Sequence, residues 1–212
     1  MYRKRVTVFV GHFGSGKTEI ALNGALEIAA KGVPVTLADL DVVKPYFRSR
    51  SARAILDGAG IELLAPTGEN VHADLPIIVP QIRSHLRDGA RRLIMDVGGD
   101  DVGARVLGSL SDVVPRDDTD CLLVLNFRRP STPDPVRALA MVREIEAVGQ
   151  LPVTGLISKT HLKDETTRDV VLDGYRLALE TAGAAGVPLV AAMVSGDVAA
   201  EIDPEDFECP VV

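Results

Sequence analysis

The amino-acid sequence predicts an α/β protein: a three-layer α/β/α sandwich whose sheet is mostly parallel and has about seven strands. Short runs rich in β-branched residues alternate with longer stretches of helical spacing, which is typical of strand–helix–strand units with right-handed crossovers. Hydrophobic residues make up 46% of the sequence but aromatic residues only 4%. Val, Leu, Ile and Ala must therefore build the core, as in parallel strands buried on both faces. No internal repeat or long linker divides the chain, so we expect residues 1–212 to form one domain.

Seven short apolar runs predict the strands, because each is rich in Val, Ile or Leu and is bounded by turn or charged residues. In chain order they are Val6–Val10, Val35–Leu37, Ile61–Leu64, Arg92–Asp96, Cys121–Leu125, Val153–Ser158 and Leu189–Val194. Helices are predicted where apolar residues recur at helical spacing, and Gly32-Val33-Pro34 ends the first of them. The predicted helices are Ala21–Ala29, Tyr46–Asp57, Ile77–Arg87, Pro135–Val148 and Glu165–Thr181. The acidic C-terminal segment, residues 197–212, has six acids and no base, which predicts a solvated surface segment.

The charge of the chain excludes some classes of partner. The formal net charge is −7, and a broad nucleic-acid surface or an anchor for anionic membranes would require a basic balance. The charge is also uneven, since residues 1–60 carry +4 and the remaining residues carry −11. The first third is therefore the part of the chain best suited to bind phosphate groups.

The cysteines and apolar stretches indicate a cytoplasmic protein. Cys121 and Cys209 lie far apart with no C-x-x-C spacing, so neither a disulfide framework nor a cysteine metal site is predicted. His12, His72, His85 and His161 show no metal-binding spacing either. The apolar run after the basic N-terminus is too short for a signal peptide, and no run is long enough for a membrane span.

The segment Gly11-His12-Phe13-Gly14-Ser15-Gly16-Lys17-Thr18 matches the pattern G-x-x-x-x-G-K-[ST] at every fixed position. It follows the first predicted strand and opens the first predicted helix, which is the context of a phosphate-binding loop. Glycines let the backbone wrap an oxyanion with its N–H groups inward, and the helix N-terminus adds positive charge. We therefore expect a nucleotide to contact residues 13–19, which are Phe13, Gly14, Ser15, Gly16, Lys17, Thr18 and Glu19. Lys17 would reach the β- and γ-phosphates and Thr18 would bind Mg²⁺; the alternative is a glycine-rich turn with an incidental lysine.

Carboxylates that follow two other strands are candidates for the same site. Ligands of open parallel sheets collect at the carboxyl ends of the strands, where Asp41 and Asp96 are expected. Asp96 would hold Mg²⁺, and Asp96-Val97-Gly98-Gly99 fits D-x-x-G, in which the Gly99 N–H contacts a γ-phosphate. Asp41 would orient the attacking water and help to hold the metal, with Asp39 as its rival. The alternative for each acid is an ordinary turn or helix cap.

Three features, the phosphate-binding loop, Asp39-Leu40-Asp41 after the second strand and Asp96-Val97-Gly98-Gly99, together resemble the MinD/ParA/CobQ-type ATPases. These ATPases are members of the SIMIBI class of P-loop proteins. The resemblance spans residues 5 to about 195 and implies a seven- or eight-stranded, mostly parallel sheet. It also implies that the position of Asp41 supports hydrolysis and that Asp96 belongs to the Walker B segment. One position departs from the family: its signature lysine, which reaches the nucleotide of a dimer partner, is replaced by His12, and Phe13 stands where glycine is usual. Arg48, Arg50 and Arg53 are candidate substitutes, or else they form a solvated helix face.

Two further strand ends carry polar residues. Ser158-Lys159-Thr160-His161 stands where related GTPases place N-K-x-D, and His161 replaces the aspartate that binds guanine. This favours adenine, with Lys159, Thr160 and His161 lining the base; the alternative is a loop in which Thr160 or Asp164 caps the next helix. Asn126-Phe127-Arg128-Arg129-Pro130 presents two arginines to a substrate or a γ-phosphate, or to solvent.

The leading hypothesis is a Mg²⁺-dependent ATPase that acts as a conformational switch for a partner protein, with Lys17 and Asp41 as catalytic residues. A homodimer is one arrangement in which it would work. A second hypothesis is a small-molecule kinase or ATP-dependent ligase whose acceptor pocket is lined by Arg48, Arg128 and Arg129. A third is a nucleotide-binding module with vestigial hydrolysis.

Overall fold

The structure, a computed structural model, describes residues 2–40, 53–65, 71–98 and 101–212, with the backbone alone over 71–78 and 101–102. The predicted site residues Asp41 and Gly99 lie outside the described residues, as do Arg48 and Arg50. The statements below refer to the described ranges.

A seven-stranded sheet forms the centre of the molecule, and every strand pair in it is parallel. The strands are β1 (Val6–Val10), β2 (Val35–Leu40), β3 (Glu62–Leu64), β4 (Arg92–Val97), β5 (Thr119–Leu125), β6 (Gly155–Ser158) and β7 (Leu189–Ala192). Their order across the sheet is β3-β2-β4-β1-β5-β6-β7. The predicted fold class is therefore confirmed. Because β1 lies in the middle, the loop that follows it emerges at the centre of the carboxyl edge of the sheet.

The helices are α1 (Lys17–Ala30), α2 (Arg53–Gly58), α3 (Val71–Asp88), α4 (Asp101–Ser109), α5 (Pro135–Gly149), α6 (Arg168–Ala185) and α7 (Gly196–Ala199). α3 begins before the predicted start at Ile77 and continues through Pro80. The helix predicted over Tyr46–Asp57 is described only from Arg53 onward. α6 is capped by Thr167, whose hydroxyl accepts the N–H of Val170, so neither Thr160 nor Asp164 caps it.

The sequence interpretation did not include α4. Its sequence contains Gly103 and Gly108, residues that disfavour an isolated helix. In the structure both glycines are sites of close backbone approach. A Cβ on Gly103 would collide with the carbonyl of Gly98, and one on Gly108 would lie 2.6 Å from the carbonyl oxygen of Val148 in α5. Tight packing therefore explains glycines that look like helix breakers in the sequence.

Apolar side chains fill both faces of the sheet. Helices α3, α4, α5 and α6 contribute to the core on one face, and α1 and α2 contribute to the core on the other. Val, Leu, Ile and Ala dominate both cores, as the low aromatic content predicts. Nearly all residues of the five inner strands are buried on both faces, so the sheet gives the loops at its carboxyl edge a rigid base.

The acidic C-terminal segment is only partly the solvated segment that was predicted. Its six acids are exposed, but Phe207 is buried and packs on Tyr175 of α6 with a ring centroid distance of 4.6 Å. Val211 pairs in parallel with Ala192 at the end of β7, and the Val212 N–H donates to the Ala192 carbonyl at 2.9 Å. The prediction is wrong for the apolar residues because they recur among the acids and reach a third apolar cluster on α6 and β7.

Candidate functional site

The loop between β1 and α1 contains glycines in left-handed conformations and leads directly into the N-terminus of α1. Gly14 and Gly16 have φ angles of +77° and +94°, in the left-handed region that favours glycine. Gly16 directly precedes the first helical residue, and the Ile20 N–H donates to the Gly16 carbonyl at 3.2 Å. The loop therefore ends at the N-terminus of a fourteen-residue helix, whose dipole favours negative charge.

Lys17 and Ser15 both fold back on the loop. The Lys17 side chain is 4% exposed, and its Nζ donates to the His12 carbonyl at 3.4 Å. The same carbonyl accepts the Ser15 N–H at 3.2 Å, while the Ser15 hydroxyl is buried close to Gly11. The lysine thus lies over the loop whose ligand it is predicted to bind. Phe13, by contrast, is 59% exposed at the loop tip.

Thr18 and Asp96 are in direct contact. The Thr18 hydroxyl donates to Oδ2 of Asp96 at 2.6 Å, and both residues are buried. Asp39, which is fully buried, pairs in register with Asp96 across β2 and β4. Paired positions on neighbouring strands face the same side of a sheet, so the two aspartates are neighbours there. A hydroxyl and carboxylates are the hard oxygen donors that Mg²⁺ takes, and the residues present fit this ion.

Lys159 crosses the phosphate loop from the end of β6. Its aliphatic chain lies on Gly16 so closely that a Cβ on this glycine would be 2.5 Å from Cδ and Cε of Lys159. Its Nζ is 3.5 Å from Oε2 of Glu19, in the first turn of α1. The structure therefore brings Lys159 and Glu19, both predicted nucleotide contacts, to the same side of the loop.

Thr160 and His161 differ in their surroundings. Thr160 is buried, its hydroxyl accepts the Phe127 N–H at 3.2 Å, and its side chain packs on Gly174 of α6. His161 is half-buried beside the loop, and burial, followed by the charges of Lys159 and Arg129, lowers its pKa. Glu19 and a hydrogen bond with the Gly14 backbone oppose that shift. His161 is therefore neutral at pH 7 and contributes no positive charge to the site.

Two residues on the loop after β5, Asn126 and Arg129, also belong to this cluster, and the sequence did not predict their contact with the phosphate loop. Asn126 is fully buried; its Nδ2 donates to the carbonyls of Gly14 at 3.4 Å and His161 at 3.2 Å. Arg129 donates from Nε to the Gly14 carbonyl at 3.0 Å. Arg128 turns away and pairs with Asp173 of α6 at 3.3 Å. One available signal was the position of Asn126, a polar residue directly after a buried strand.

The remaining predicted cation, Arg53, is exposed at the start of α2. Of the helices in the described ranges, none combines the length and apolar character that a membrane crossing requires. Those ranges also hold no group of three or more His, Cys, Asp or Glu residues suited to a metal ion.

Comparison with known proteins finds similarity at the level of structure. No protein-family model and no curated protein matches the sequence. The cell division protein FtsY from Thermotoga maritima is similar, with a TM-score of 0.64 and 19% identity over 95% of this chain and 66% of that one. The signal recognition particle 54 kDa protein from Aeropyrum pernix, in complex with GDP, has a TM-score of 0.56 and 20% identity, over 87% of this chain and 40% of that one. A nucleotide-binding protein from Archaeoglobus fulgidus, in complex with ADP, has a TM-score of 0.51 and 15% identity, over 92% of this chain and 83% of that one.

Several of the FtsY structures are considerably longer than this protein, which spans 59% to 61% of their length. The similarity to the three structures compared above covers 87% to 95% of this chain. The parallel seven-stranded sheet, with a glycine-rich loop between its central strand and α1, thus has the α/β fold of the P-loop NTPases.

Proposed function

We propose that this protein binds a nucleoside triphosphate together with Mg²⁺ and hydrolyses it. The observation that carries the proposal is the contact between Thr18 and Asp96 at the N-terminus of α1, directly after a loop that holds Lys17. A hydroxyl and a carboxylate at 2.6 Å form the start of an oxygen site beside an anion-binding loop. Phosphate groups and their counter-ion would therefore meet complementary groups within one turn of helix.

Different residues are proposed to bind the phosphates, the metal ion and the attacking water. The backbone N–H groups at the start of α1 and the Lys17 ammonium would bind the β- and γ-phosphates. Thr18 and Asp96 would hold Mg²⁺, which when bound neutralises charge on the phosphate oxygens. Asp41, two residues beyond the buried Asp39, is proposed to orient the attacking water, and Gly99 to contact the γ-phosphate.

We propose adenine as the base. Guanine recognition uses a carboxylate that accepts hydrogen bonds, and His161, a neutral imidazole beside the loop, occupies that position. Similar folds have been solved with ADP and with GDP, so the fold itself allows either base. Lys159, across the loop at Gly16, and His161 are the proposed base contacts, together with Thr160.

The proposed role is a conformational switch read by a partner protein, in the cytoplasm, with a homodimer as one arrangement. The alternative of a kinase or ligase needs free cations for an acceptor. Of its three predicted cations, Arg128 is paired with Asp173 and Arg129 is bonded to Gly14, while Arg48 lies outside the described residues. This observation favours the switch.

Isothermal titration calorimetry with MgATP, MgADP and MgGTP tests the proposal, together with a phosphate-release assay. Lys17→Ala should weaken MgATP binding by about 10- to 100-fold, because a charged hydrogen bond contributes about 1.5–3 kcal/mol. Lys31→Ala is the matched control, since Lys31 follows the other end of α1 and pairs with the exposed Glu27. Absence of nucleotide binding, or equal MgATP affinity of wild type and Lys17→Ala, contradicts the proposal. Tighter binding of MgGTP than MgATP contradicts the choice of adenine.

A further inference from the structure

We propose that Arg129 is a positioning residue for the phosphate loop, acting through the hydrogen bond from its Nε to the carbonyl of Gly14. This inference rests on the proposed function, because it assigns Arg129 the task of keeping the loop ready for an anion. It concerns a residue more than a hundred positions from the loop in sequence, since the two partners are 115 residues apart.

The carbonyl of Gly14 accepts hydrogen bonds from two side chains. Arg129 donates to it from Nε at 3.0 Å, and Asn126 donates from Nδ2 at 3.4 Å. The same Nδ2 of Asn126 also donates to the His161 carbonyl on the loop after β6, at 3.2 Å. The loop after β5, itself joined to the loop after β6, thus fixes one peptide group of the phosphate loop.

The orientation of this peptide group matters for anion binding. A loop that receives phosphate must present N–H groups, and a carbonyl turned inward would place partial negative charge against the ligand. Glycine at φ +77° has more conformational freedom than any other residue, so the peptide after Gly14 needs external contacts to hold it. The Ser15 N–H of the same peptide donates to His12, and Arg129 holds the other side.

The loop that carries Arg129 is itself well ordered by hydrogen bonds. The Arg129 N–H donates to the Asn126 carbonyl at 3.1 Å, and the Thr132 hydroxyl donates to the same carbonyl at 3.0 Å. The Thr132 N–H donates to the Arg129 carbonyl at 3.1 Å, and Thr132 is buried. These bonds form a compact turn whose base, Asn126, is fully buried. Arg129 therefore extends from a firm support rather than from a free loop.

Contact and charge agree with this assignment. A Cβ on Gly14 would lie 3.0 Å from Nε of Arg129, so glycine lets the guanidinium approach the backbone. The groups near His161 include Lys159 on its own loop, Arg129, Glu19 of α1 and the Gly14 backbone, and the Lys163 N–H donates to its Nδ1 at 3.4 Å. Arg129 is one of the two cations that lower the pKa of His161, which places its charge beside the loop as well.

Three variants separate the hydrogen bond from the charge. Arg129→Met keeps an unbranched side chain as far as the position of Nε and removes both the donor and the charge. Arg129→Gln removes the charge but places an amide nitrogen at the position of Nε, and so restores a donor to Gly14. Arg128→Met is the matched control, because Arg128 is adjacent to Arg129 in the sequence but pairs with Asp173 instead.

The first measurement is hydrogen exchange of residues 11–19 in the nucleotide-free protein, followed by calorimetry with MgADP. Arg129→Met should speed exchange in this segment and weaken MgADP binding about tenfold, the scale of one charged hydrogen bond. Arg129→Gln should restore slow exchange and most of the affinity, and Arg128→Met should behave as wild type. NMR titration should show the pKa of His161 rising in Arg129→Met, because a neighbouring cation is gone.

Wild-type exchange over residues 11–19 in Arg129→Met overturns the inference, as does an Arg129→Gln protein that exchanges like Arg129→Met. Should Arg129→Met fail to fold, Arg129→Leu, which also lacks the donor and the charge, takes its place in the same readouts. A wild-type protein that binds no nucleotide contradicts the proposed function, whereas the exchange measurement needs no nucleotide and still decides the role of Arg129.

Discussion

The Thr18 hydroxyl has one partner in the structure and another in the proposed complex. In the structure it donates to Asp96, and in the proposed complex its oxygen would instead be a donor atom to Mg²⁺. The hydrogen bond keeps both side chains pointed at the same place without a metal. Removing the hydroxyl therefore has two separable effects, one on metal dependence and one on stability.

Thr18→Val should remove the Mg²⁺ dependence of nucleotide binding while Thr18→Ser preserves it. For wild type, calorimetry with ADP should show tighter binding with Mg²⁺ than with EDTA; for Thr18→Val the two affinities should be nearly equal. Urea denaturation should also show a loss of about 1–3 kcal/mol, because the buried Asp96 loses this donor. A Thr18→Val protein with the full Mg²⁺ effect would show that this hydroxyl is not part of the metal site.

The residues that sequence alone predicts are those that belong to a local pattern. Lys17, Thr18 and Asp96 each stand at a fixed place in a short motif beside a strand end, and the structure brings them together. Asn126 and Arg129 belong to no such pattern. Their role depends on a contact with Gly14, and only the folded sheet brings the loop after β5 against the loop after β1.

At the scale of elements, the strands are the easiest to predict. Each central strand is buried on both faces, so it must be a continuous apolar run, and seven such runs correspond to the seven strands found. Helix α4 is harder because tertiary packing, not propensity, determines its glycines. The acidic C-terminal segment is difficult to predict for a related reason. Its acidic composition indicates a solvated segment, but its few apolar residues pack on α6 and β7.

Phe207→Ala should destabilise the protein by about 3 kcal/mol, since it removes a buried aromatic ring from the cluster around Tyr175. The free energy of unfolding in urea measures this. Val136→Ala is the control: Val136 is 77% exposed, and its truncation should change the free energy by less than about 0.5 kcal/mol. Equal stability of Phe207→Ala and wild type would mean that the segment does not pack on α6 in solution.

At the scale of the whole molecule, a single sheet joins all the elements described. We propose that the chain is one domain, and we expect it to unfold in one cooperative transition. Tyr2 packs near Phe9 of β1, and Tyr175 packs on the C-terminal segment, so tyrosine fluorescence reports from separate parts of the fold. Urea curves followed by tyrosine fluorescence and by far-UV circular dichroism should coincide. Two separated transitions would indicate two domains.

The pairing of Val211 with Ala192 also affects how the protein meets other copies of itself. An uncovered edge strand offers a row of hydrogen-bonding groups to which a foreign strand can add, and this is a common route to aggregation. The N–H groups of Ala192 and Val194 already donate to the carbonyls of Pro210 and Val212. The C-terminal segment therefore covers part of the β7 edge of the sheet. A strand from a neighbouring molecule would have to displace this segment before it could add to that edge.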